Sequence, residues 1–131
     1  MARSEATGTD RDAVERWIAA YETLWRTAGT DRLPELFTPD AAYVPSPWHE
    51  PIADADAIAR FWDEERDGPN EVFTMASDVI AVDGDVAVVR VAVDYAHGRS
   101  WRDLWVLRFA GDGRVSRFEE WPFAPDTFDG H

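Results

Sequence analysis

The chain has 131 residues, of which 45% are hydrophobic and 13% aromatic. That suits one domain with its own core and is too much apolar bulk for a disordered chain. There is no Cys, and all 13 basic residues are Arg, which removes thiolate and Schiff-base chemistry; the net charge of −13 repels phosphate backbones, so nucleic acid is not an expected partner. No stretch approaches the roughly 18 apolar residues of a membrane span, and MARSEATGTDRD lacks the apolar core of a secretory signal, so a cytoplasmic protein with no membrane contact is expected.

Residues 1–9 are small and polar and predict a loose tail, followed by one domain over residues 10–131. Asp10 or Asp12 can cap a helix in which Val14, Trp17, Ile18, Tyr21, Trp25 and Ala28 form one apolar stripe, with Gly29 ending it. A short second helix is expected from Asp31 to Phe37. Thr38-Pro39-Asp40 reads as a turn, Ala41 to Val44 as a strand, and Trp48 to Pro51 as a short return strand. Asp54 or Asp56 caps a third helix that buries Ile58, Phe61 and Trp62, and residues 67–70 close it.

The remainder predicts four antiparallel strands: Glu71 to Val82, Val86 to Ala96, Ser100 to Ala110 and Arg114 to Phe123. Asp83-Gly84-Asp85, His97-Gly98-Arg99 and Gly111-Asp112-Gly113 are the turns. This order predicts an α+β layer arrangement in which helices cover one face of a curved sheet. Period-two alternation puts Trp101, Asp103, Trp105, Leu107 and Phe109 on the inner face, and Arg90, Asp94, Leu104 and Val106 on the outer one. The last strand alternates poorly, so a bulge is expected, and either Glu119 or Glu120 could face inward.

The patterns WIAAYETLW, DRLPELFTPDAAYV, DADAIARFW and LRFAGDGRVSRFEEW resemble the nuclear-transport-factor-2-like superfamily and its SnoaL-like members, from about Asp10 to Phe123. The resemblance implies a cone: a bent antiparallel or mixed sheet around a long helix plus two shorter ones, with an apolar pocket inside and a dimer on the outer sheet face. The scaffold hosts many functions, so the fold alone is nearly silent on chemistry. Ketosteroid isomerases of this superfamily use a tyrosine, an aspartate base and a protonated aspartic acid. On this sequence the tyrosine falls on Tyr21, but the base falls on Pro45 and the acid on Trp105. The last-strand acid of limonene epoxide hydrolases falls on Glu120, while their Arg-x-Asp pair has no counterpart at Arg90-Val91-Ala92. Scytalone dehydratases rely on pocket histidines and tyrosines, for which His49 is the sole match near a pocket mouth.

The candidate chemistry is therefore carried by Asp103, Glu120, Tyr21 and His49. Asp103 lies between two indoles, where desolvation raises a carboxyl pKa and suits acid–base work; the plain alternative is a structural salt bridge. Asp103 and Glu120 could divide acid and base roles, with Tyr21 or His49 donating to an oxyanion. The plain alternatives are an edge carboxylate, a core tyrosine and a surface histidine. The pocket walls are expected from Trp25, Tyr43, Trp48, Trp62, Trp101, Trp105 and Phe118. No metal is expected, since His49, His97 and His131 lack ligand spacing, and no cofactor is expected. Two functions follow: a cofactor-free enzyme moving protons on a small apolar molecule, or a non-catalytic pocket or dimerisation module.

Overall fold

The computed structural model describes residues 9–66 and 72–127. Helix α1 (Arg11–Trp25) starts where the Asp10 carboxylate accepts the Ala13 N–H at 2.9 Å. It buries Val14, Trp17, Ile18 and Tyr21 of the predicted stripe, and also Leu24, which the stripe did not include, while Trp25 is half-buried. It stops at Trp25 rather than Gly29, which leaves Ala28 exposed. Arg66 explains the early stop. Its guanidinium donates to Leu24 O at 3.3 Å, Thr27 O at 2.8 Å and Gly29 O at 3.0 Å, satisfying carbonyls that another helical turn would have used.

The helix expected from Asp31 to Phe37 is instead a single 3-10 turn, Leu33–Glu35. Sheet pairing takes the rest of that segment, because Leu36 O accepts the Val115 N–H at 2.8 Å and Phe37 opens a strand. Strand β1 (Phe37–Val44) runs through Thr38-Pro39-Asp40, which is therefore not a turn between elements. Its register with the last strand shifts between Phe37 and Ala42, and Pro39 lies in that irregularity, where its missing N–H costs no ladder bond. The return strand is β2 (Ile52–Ala53), not Trp48 to Pro51; the prolines before it leave Trp48 and His49 in an exposed turn. Helix α2 (Ala55–Glu65) is capped by Asp54, whose carboxylate accepts the Ala57 N–H at 2.9 Å, and buries Ile58 and Trp62. The closing turn expected at 67–70 lies outside the described residues.

Strands β3 (Phe73–Asp83), β4 (Val86–Tyr95), β5 (Ser100–Phe109) and β6 (Val115–Phe123) form the predicted meander. The six strands make one mixed sheet in the order β2-β1-β6-β5-β4-β3, with β1 and β6 parallel. Among the described residues two α-helices, rather than three, cover it. Trp17 of α1 packs edge-on against Phe37 and Phe109 and tilts over Phe118, so the inner sheet face closes on the helix stripe.

The expected irregularity in the last strand occurs at its start. Arg108 pairs with Arg117, but Phe109 pairs with Val115, so the register shifts there and parity changes. Val115 and Phe118 are both buried. Beyond the shift the even residues face inward. Glu120 stands opposite Trp105 inside the cone, while Glu119 stands opposite Val106 and meets Arg117 at 3.6 Å.

Candidate active site

One end of the cone holds a cavity of about 260 Å³. Helix α1 supplies Tyr21 and Trp25, strand β1 supplies Tyr43, and the inner faces of β5 and β6 supply Trp101, Asp103, Trp105 and Glu120. These side chains meet because alternation on β5 and the shifted alternation on β6 aim them at the same volume.

The floor carries two carboxyl groups that share one site. Asp103 is 5% exposed, and its carboxyl is set by burial, Glu120 and Trp105. Burial pushes its carboxyl above the ordinary aspartate range, while its hydrogen bond with Glu120 and the facing Trp105 indole act the other way. Glu120 is pushed well above the ordinary glutamate range, first by desolvation, then by its hydrogen bond and charge interaction with Asp103. Two adjacent desolvated carboxylates repel, so they titrate as a unit. Both members are raised, and Glu120 is the more strongly raised of the two. One Asp103 oxygen, Oδ1, is buried with no hydrogen-bond partner, as is the Trp105 indole Nε1. The Trp105 N–H thus favours the charged forms of both carboxyls without reaching a hydrogen bond of ordinary geometry.

Above the pair, the Tyr21 and Tyr43 hydroxyls lie 3.4 Å apart. Both phenols are raised well above the usual value, chiefly by burial, so they stay protonated and can donate. Phe118 stacks parallel to Tyr43 at 4.6 Å and to Tyr21 at 5.6 Å, which fixes both rings.

The structure therefore brings Asp103, Glu120 and Tyr21 together, with Trp25, Tyr43, Trp101 and Trp105 in the wall. Four expected residues lie elsewhere. His49 is exposed in the Pro-rich turn, where its Nδ1 contacts Glu50 O at 2.6 Å. Trp48, in the same turn, is 97% exposed. Phe118 is fully buried behind the tyrosines and supports the wall from outside the cavity. Trp62 packs edge-on to Tyr21 and Trp25 and lines a separate cavity of about 180 Å³. The wall also contains Phe73, Met75, Val93 and Tyr95 from β3 and β4, and His97 and Arg99 from the hairpin between β4 and β5. Val93 and Tyr95 have the β4 parity opposite to Arg90 and Asp94, which alternation put on the outer face; the hairpin residues have no period and gave no signal. Among the described residues no group of His, Asp and Glu could hold a metal ion.

A family model described as a SnoaL-like domain matches residues 14–118. An NTF2-like protein of unknown function from Mesorhizobium loti superposes with a TM-score of 0.65 at 23% identity, covering 88% of this chain and 95% of that one. A steroid delta-isomerase from Pseudomonas aeruginosa gives the same TM-score and identity, covering 91% of this chain and 85% of that one. The epoxide hydrolase/cyclase-like enzyme SalBIII, from salinomycin pyran ring formation, gives 0.70 at 14% identity, covering 87% and 93%. No curated protein matches the sequence. The likenesses to solved structures are likenesses of fold, and the family match spans most of the sequence: the chain belongs to the SnoaL-like family.

Proposed function

We propose that the pocket performs cofactor-free proton transfer on a small apolar molecule, by isomerisation, cyclisation, dehydration or hydrolysis. The observation that carries this reading is the pairing of buried Asp103 with half-buried Glu120 in the lining of an aromatic cavity. In this reading Asp103 takes a proton from substrate or water. Glu120, the more strongly raised member, delivers one to the leaving or rearranging group. Transfer across their contact then restores the starting state. The Tyr21 and Tyr43 phenols donate to negative charge developing on a substrate oxygen, in a site where water does not screen them.

The test is turnover of a panel of small cyclic enones and hydroxy-epoxides, with binding followed separately by tryptophan fluorescence. The wild type should bind and convert at least one member. Asp103→Asn and Glu120→Gln should still bind it and lose at least about 10²-fold in kcat, the usual weight of a positioned acid or base. Binding by the wild type with no conversion of any member would favour a non-catalytic pocket instead.

We propose, too, that the outer sheet face pairs with a second copy of the chain. Leu104 and Trp121 are partners in the β5–β6 register, each 41% exposed, and Phe123 beside them is 42% exposed.

A further inference from the structure

The pocket has two chemically different ends. Its floor holds the carboxyl pair, and Glu65 of α2 adds a third acid to the lining. The hairpin end holds Arg99, the single arginine among the described residues of the wall. Acidic residues outnumber basic ones 26 to 13 in this chain, and most described arginines lie against a carboxylate. The Arg99 guanidinium has no such partner among the described residues. It lies over the Trp101 indole instead, 5.4 Å from the ring centroid.

The hairpin fixes Arg99 there. Tyr95 N–H donates to Arg99 O at 2.8 Å, Gly98 N–H to Tyr95 O at 3.0 Å, and Arg99 N–H to His97 Nδ1 at 3.4 Å. Gly98 takes φ 103, a conformation that favours glycine and makes the tight turn possible. The turn thus fixes the Arg99 backbone, its exposed guanidinium rests on an aromatic shelf, and no acid among the described residues pairs with it.

From this we infer that the ligand is an amphipathic anion: a small ring with a carboxylate on a short spacer, the carboxylate seated on Arg99 and the ring between the indoles. The inference rests on the reading of the cavity as a ligand site and adds the class of molecule it takes. Charge fixes the orientation. A carboxylate at the floor would meet Asp103, whereas Arg99 offers a planar fork that matches it. Arg99 lies one residue before β5 and four before Asp103, about 13 Å between backbones at the rise of an extended strand, and the guanidinium leaning over Trp101 shortens the gap between the two charged groups. That separation leaves room for one ring and a spacer. The volume of about 260 Å³ also lies below the roughly 300–1,000 Å³ of pockets for drug-sized ligands, so a small ring system is favoured.

The experiment compares 4-phenylbutyrate with its neutral amide, 4-phenylbutyramide, by calorimetric titration of the full chain. The wild type should bind the carboxylate about tenfold more tightly. Arg99→Gln should reduce that preference to below twofold, and Arg102→Gln, on the outer face, should retain it. Asp103→Asn should retain or increase it, because it removes a negative charge from the floor. Equal binding of acid and amide by the wild type, binding of neither, or an unchanged preference in Arg99→Gln would overturn the inference. None of these outcomes reads turnover, so an anion-selective pocket that fails to convert any panel member would count against the catalytic reading alone.

Discussion

At the scale of single residues, the Asp103–Glu120 pair has a measurable cost. A carboxyl whose native pKa is raised binds its proton more tightly folded than unfolded. Its stability contribution is complete below the unfolded pKa and is lost as pH rises through the native one. Stability should therefore decline as pH rises past the ordinary carboxylate range and level off once Glu120 has ionised. Glu120→Gln removes that titration at nearly constant shape. The variant should melt at a higher temperature than the wild type at pH 8, and the gap should shrink toward pH 4. Exposed carboxylates with lowered pKa values, such as Glu35 beside Arg32, act in the opposite sense but are common to both proteins. A gap that grows on acidification would mean that Glu120 is ionised in the native state at low pH. Alternation identified half of this pair, and only the family resemblance pointed to the other half, Glu120. Asp103 follows from clean alternation on β5, where Trp101, Asp103 and Trp105 share a face. Glu120 needed the position of the register shift, which is set by pairing with β5 and not by the composition of β6.

The elements show where local signals were overruled. The α1 stripe and the β3–β6 meander follow from periodicity, because those segments are long enough for the period to repeat. The failures are short segments. Leu33 to Phe37 has a helical beginning, but the hydrogen bond between Val115 and Leu36 draws it to the sheet. Trp48 and His49 look like site residues by type, yet the prolines around them prevent the strand that would have turned them inward. Asp54 joins two elements and gives a direct test. It caps α2, its backbone N–H donates to Ala41 O at 2.8 Å, and it is the one described non-glycine residue with positive φ, at 68°. That conformation favours glycine. Asp54→Ala keeps the strain and loses the cap, so it should cost about 1–2 kcal/mol in urea unfolding. Asp54→Gly loses the side-chain acceptor but relieves the backbone, and should cost distinctly less. If alanine proved the milder change, the backbone at this junction would differ from the one described.

At the scale of the whole molecule, the sheet has one face committed to α1 and the cavity, and the other left to solvent. Leu104, Trp121 and Phe123 form the apolar centre of that outer face, with Val106 half-buried next to them. Around them stand the ion pairs Arg90–Asp78, Arg102–Asp94 and Arg117–Glu119. An apolar centre with a charged rim is the usual anatomy of a protein interface, and a two-fold axis would set the same patch against itself. Such a pairing answers a second difficulty. A chain with a net charge of −13 repels its copies, but the outer face presents guanidinium groups beside its acids, so two faces can meet with opposite charges aligned. The proposed dimer should appear in sedimentation at tens of micromolar as about twice 14.8 kDa. Trp121→Glu places a charge at the centre of the patch and should weaken association at least about 30-fold, the effect of losing an interface anchor worth 2 kcal/mol or more. Because Trp121 points away from the cavity, the variant should keep the fold and the pocket's preference for carboxylate over amide. A wild-type monomer at these concentrations would sink the proposal, as would a dimer that Trp121→Glu leaves intact.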